Sequence, residues 1–70
     1  MDRYLEYLCG ELSKDEYYDR NGYLNSEGRT LLELLARIIV KSKIGIGLLR
    51  RVRRNPSKEL VIKLLREVCR

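Results

Sequence analysis

Residues 41–54, KSKIGIGLLRRVRR, place six bases and no acid in fourteen positions: Lys41, Lys43, Arg50, Arg51, Arg53 and Arg54. The chemistry this suits is a grip on a polyanion. An arginine guanidinium stays charged and donates in pairs to phosphate oxygens or to a guanine edge, and several phosphate contacts made together give tight, salt-sensitive binding. Catalysis has much less to work with. The chain has no His, the side chain whose ordinary pKa suits proton transfer near neutrality and which most often ligates metals. Two Cys without His make neither a four-ligand zinc site nor a Cys–His nucleophile. Asp15, Glu16 and Asp19 form the only local acidic cluster, and we read it as a solvated helical turn, not an acid–base pair. The expectation is a protein that is not an enzyme and needs no cofactor or metal.

Charge divides the chain in two. Residues 1–28 hold seven acids and three bases, whereas residues 29–70 hold three acids and twelve bases, within a formal net charge of +5. Such asymmetry marks a polyanion-binding segment or, alternatively, two halves that neutralise each other across a fold. The first reading gives a small nucleic-acid-binding or regulatory protein, DNA and RNA undistinguished. The second gives a protein-interaction module or homo-oligomeric adaptor, a homodimer included, with a solvated basic face.

Helices must position these bases. In residues 2–12, Tyr4, Leu5, Leu8, Cys9 and Leu12 fall at spacings of one, three and four, the stripe of an amphipathic helix, with Asp2 suited to its first turn. Ser13 with Glu16 fits a capping box and predicts a short helical turn or bend. Asn21-Gly22 signals a left-handed turn. We expect a loop there and not a hairpin, because an isolated two-stranded hairpin needs further strands or a covering helix. From Asn25 or Ser26 through Lys43 a long helix is predicted, with Leu31, Leu32, Leu34, Leu35, Ile38, Ile39 and Val40 around most of its circumference. Its polar stripe of Arg29, Glu33, Arg37 and Lys41 is spaced to pair internally, and Thr30 with Glu33 offers a later start. Gly45 and Gly47 predict a tight turn over residues 43–47. A third helix carries Leu48, Leu49 and Val52 inward and ends by Asn55, where Asn55-Pro56 suits the N-cap and first turn of a fourth helix. That helix turns Leu60, Val61, Leu64, Leu65 and Val68 inward, and Glu59 to Lys63 is a favourable i, i+4 pair.

The string Ile44-Gly45-Ile46-Gly47 between two helices resembles the hairpin of the helix–hairpin–helix family of non-sequence-specific DNA binders. The resemblance spans about twenty residues, and it implies that backbone N–H groups around Gly45 and Gly47 meet a phosphate beside basic side chains. Lys43 stands where that family has an apolar residue, and Arg51 where it has a small one. The alternative is that the two glycines simply make a sharp interhelical turn, and this is the reading we adopt; no membership is assigned. Measured against repressor-type helix–turn–helix spacing, Ala36 suits the close-packing position, while Val40 occupies the place of the turn glycine.

Seventy residues allow one domain, near the size at which a core needs a staple or a partner. The whole is therefore read as one all-α domain, residues 1–70, a bundle of about four helices with a helix-turn-helix-like arrangement around residues 30–54. Tyr17, Tyr18 and Tyr23 are expected to cover one end of the core. Cys9 and Cys69 fall on inward faces and are expected as buried free thiols, a disulfide between the first and last helices being the alternative if the source is a hyperthermophile. No apolar run nears the ~18 residues of a membrane span and no signal-peptide pattern opens the chain, so a cytoplasmic protein away from membranes is expected.

Overall fold

The apolar stripes fold as helical faces closing on one core. The computed structural model describes residues 3–69. Its order is α1 (Arg3–Leu12), a 3-10 turn (Asp15–Tyr17), α2 (Ser26–Ser42), α3 (Ile46–Arg54) and α4 (Lys58–Val68). The fold is an all-α four-helix bundle in which α1 packs on α2, α3 lies against both α2 and α4, and the 3-10 turn rests on α1 and α2. Leu8 and Leu12 of α1, Leu32, Leu35 and Ile39 of α2, Leu49 and Val52 of α3, and Val61, Leu64 and Leu65 of α4 form the buried core. The helix-dipole role of Asp2 lies outside the described residues. Tyr4 turns outward, 47% exposed, so the α1 stripe is narrower than expected.

The long helix also buries a single stripe. Gly28, Leu32, Leu35, Ala36 and Ile39 are inside, Leu31, Leu34 and Ile38 are partly covered, and Val40 is 59% exposed. The helix is packed on several sides, by α1, α3 and the 3-10 turn, and of the seven apolar residues named from sequence only Val40 stands exposed. The last helix, α4, packs chiefly on α3.

Of the predicted helix starts, α2 begins at Ser26 as expected, whereas the 3-10 turn and α4 differ because side-chain oxygens find other donors and acceptors. Asn25 caps α2 by accepting from the Gly28 N–H at 2.8 Å, so Thr30 is not a cap, and its hydroxyl donates back to the Ser26 carbonyl inside the helix. Ser13 donates to the Cys9 carbonyl at 2.8 Å, and the 3-10 turn begins without a side-chain cap. Asn55 ends α3 by donating its N–H to the Arg51 carbonyl, and Ser57, two residues later than predicted, caps α4 by accepting from Leu60 N–H. The Pro56 carbonyl is engaged elsewhere, accepting from Leu24 N–H at 2.9 Å. Glu59 and Lys63 make no ion pair, the described residues containing only Lys14–Glu11, Arg53–Glu33 and Lys58–Asp15.

The loop before α2 remains a loop. Gly22 adopts φ +81, and the Asp19 carboxylate accepts from the Asn21 and Tyr23 N–H groups. Pairing is limited to isolated bridges, Tyr18 with Leu24 and Tyr23 with Ser57. Tyr17 and Tyr18 cover the core end as expected, Tyr18 donating to the Leu12 carbonyl at 2.7 Å. Burial, with Asp15 nearby, pushes the Tyr18 phenol up to about 12. Tyr23 stays at the exposed rim.

This loop lies directly on the start of α2. A Cβ on Gly28 would sit 2.7 Å from the Tyr17 carbonyl oxygen and 2.6 Å from Leu24 Cδ2. Gly28→Ala should therefore destabilise by roughly 1–3 kcal/mol, as overpacking does. A thermal melt checks it, with Gly10→Ala as the control, since a Cβ there meets open space and removes a helix-interior glycine.

Cys9 and Cys69 are joined in a disulfide with their Cα atoms 6.5 Å apart, and no free cysteine remains. This corrects the expectation of free thiols. Both residues do face inward, but α1 and the end of α4 bring them to bonding distance, which spacing alone did not reveal. No helix among the described residues is long and apolar enough to cross a membrane.

Candidate nucleic-acid interface

The turn that aims the basic helix is shorter than predicted. Lys43 ends α2 in the left-handed region, φ 61, its N–H donating to the Ile39 carbonyl, and Gly45 follows at φ 83. Gly45 is pressed against α4, where a Cβ would lie 2.9 Å from Val68 Cγ2 and 3.2 Å from Leu64 Cδ1. Both a positive φ and a close approach thus require glycine at this position. The helix α3 begins at Ile46, so Gly47 is not in the turn. It sits exposed in the first turn of α3, where a Cβ would meet nothing within 4 Å. The assignment of both glycines to one turn over residues 43–47 is corrected to residues 43–45, and α2, this turn and α3 form the helix-turn-helix-like unit.

With Leu49 and Val52 buried, the opposite side of α3 is basic. Arg50, Arg51 and Arg54 are exposed and fall three, four and seven residues after Gly47, hence on one helical face. They also line, with Arg53, an open depression of about 480 Å³. Arg53 leans the other way, toward α2, where its Nη2 donates to Glu33 Oε2 at 3.1 Å. Between α2 and α3 lie two more depressions. One of about 440 Å³ is lined by Arg29, Leu32, Glu33, Val52, Arg53, Arg54 and Pro56. The other, of about 370 Å³, is lined by Glu33, Ala36, Arg37, Val40, Lys41 and Arg53. Arg53 borders all three.

The face therefore holds Lys41, Arg50, Arg51, Arg53 and Arg54 of the residues singled out from sequence, and it leaves Lys43 and Gly45 at the turn. It adds two that the sequence reading missed, Arg29 and Arg37. Their spacing of four with Glu33 suggested internal pairing along α2, but Glu33 pairs across to Arg53. The regular spacing in α2 was the available signal, and it needed only the neighbouring helix to be read as a rim. Seven cations meet a single acid here, and Arg53 is the only one of the seven in an ion pair. No group of three or more residues able to hold a metal occurs among the described residues.

In comparisons with known proteins, no family model, no curated sequence and no solved structure matches this chain.

Proposed function

We propose that the chain is a small nucleic-acid-binding protein, acting without catalysis, whose α2–α3 face grips the phosphate backbone. One observation carries this reading. Arg29, Arg37, Lys41, Arg50, Arg51 and Arg54 line three depressions that all border Arg53, and none of the six has an ion-pair partner among the described residues. If the basic half served chiefly to neutralise the acidic half, these cations would be paired with it. Among the described residues only Lys58 reaches across in that way, to Asp15. Unpaired arginines held on two rigid helices keep their donors available for phosphate oxygens, at little ordering cost to the backbone that carries them.

Fluorescence anisotropy with labelled random-sequence oligonucleotides, single-stranded and duplex, tests the proposal at several salt concentrations. Binding should weaken steeply as salt rises, as counterion release requires. Absence of binding at low salt would end it.

Gly47 adds a second check on where the nucleic acid lies. An exposed helical glycine with a clear Cβ direction costs about 1 kcal/mol of stability relative to Ala, and nothing in the packing requires it. Its place at the head of the Arg50, Arg51 and Arg54 face lets a phosphate approach bare backbone. Gly47→Ala should raise the melting temperature and weaken binding at the same time. Higher stability with unchanged binding would put the phosphate elsewhere on the face.

A further inference from the structure

Glu33 is out of place on a face built for phosphates alone. It is the single acid among the residues lining the three depressions and borders two of them, its side chain is 63% exposed, and a carboxylate there repels a phosphate backbone. Its one side-chain hydrogen bond among the described residues runs from Arg53 Nη2 to Oε2, at 3.1 Å. Oε1 and the remaining Arg53 donors have no partner within the described residues. The pair divides the valley between α2 and α3 into two cups, a largely polar one over buried Leu32 and Val52 and a largely apolar one whose accessible surface includes Val40, 59% exposed. Their volumes of about 440 and 370 Å³ lie at the small end of ligand pockets. An apolar surface beside arginine walls suits a flat, unpaired base, which can stack on guanidinium planes.

We infer that the Glu33–Arg53 pair reads the Watson–Crick edge of an unpaired guanine seated in this valley, which makes the ligand a guanine-containing single strand. The inference rests on the nucleic-acid reading above. The guanine edge presents in order an acceptor at O6, a donor at N1 and a donor at N2. A guanidinium donating to O6 beside a carboxylate accepting from N1–H and N2–H₂ completes that pattern with both partners already in contact. Adenine and cytosine offer a donor where Arg53 needs an acceptor. Uracil and thymine match the first two positions, then set the O2 acceptor against the carboxylate. In a duplex the whole edge is occupied by base pairing, so the pair has nothing to read. The rim cations Arg29, Arg37 and Arg54 hold the flanking phosphates, and they do so for any sequence.

The test uses the full, disulfide-linked chain and short single strands that differ only in one central base: guanine, inosine, adenine or thymine. Anisotropy should give guanine the tightest binding, with adenine and thymine at least tenfold weaker. Inosine, which lacks the N2 amino group, should fall between. Glu33→Gln and Glu33→Ala should bring the guanine-to-adenine ratio close to one without weakening the adenine strand, because removing an acid from a cationic face does not lessen its attraction for phosphates. Salt-dependent binding with equal affinity for all four strands would overturn the guanine assignment and leave the phosphate grip standing. So would a guanine preference that survives both Glu33 variants. Failure of every strand to bind would overturn the nucleic-acid reading itself, and the guanine assignment with it.

Discussion

Reduction of the Cys9–Cys69 disulfide should lower the folding free energy by roughly 4 kcal/mol, the chain-entropy expectation for a bridge that closes a loop of some sixty residues. In a domain this small, a loss of that size corresponds to a fall in melting temperature of about 20–30 °C. The reason lies in the size of the chain. The core holds thirteen buried apolar residues among those described, and chains of this length sit close to the balance between burial and ordering entropy. A bridge from α1 to the end of α4 restricts almost the whole unfolded chain at once. Melting with and without a reductant, beside the Cys9→Ser, Cys69→Ser double variant, measures the effect. Superimposable melts would mean that the bridge does not form in solution. The same bridge bears on where the chain works, since disulfides persist in oxidising compartments or in the cytosol of hyperthermophiles.

The second large effect belongs to Leu35. Its side chain is fully buried at the middle of α2, on the stripe with Leu32, Ala36 and Ile39. Leu35→Ala should destabilise by about 2–5 kcal/mol, the range for leucine truncation in a well-packed core. Arg37, two residues on and exposed, should tolerate Ala with little change in stability while weakening nucleic-acid binding. Denaturant titration of the two variants separates these roles. A neutral Leu35→Ala would mean that α2 does not organise the core.

Much of this architecture was legible in the amino-acid order, and the exceptions have physical causes. Leucine periodicity in 8–12, 32–39 and 61–65 located the inward faces because helical spacing and burial coincide there. Val40 and Tyr4 were misread for the same reason: an apolar residue continues a stripe whether or not a neighbour exists to cover it, and only tertiary packing decides. Caps were the least predictable feature. Ser13, Thr30 and Asn55 all have cap chemistry, yet the first two donate to carbonyls one turn back and the third ends a helix instead of starting one. Gly45 and Gly47 look equivalent in sequence, and they differ because α4 presses on the first and nothing approaches the second. The α3 arginines were plain from composition. Arg29 and Arg37 were not, because joining them to that face depends on α2 lying beside α3 with Glu33 drawn across to Arg53.

We propose phosphate binding on the outer face of α3 and its rim on α2. It is tested most directly by the salt dependence of binding in the unaltered chain and in the Arg50→Ala, Arg51→Ala, Arg54→Ala triple variant, with circular dichroism to show that both remain helical. Loss of three phosphate contacts should make the slope of log K against log salt shallower by about 2–3 units and weaken binding alike for unrelated sequences. An unchanged slope and isotherm in a folded triple variant would contradict the account.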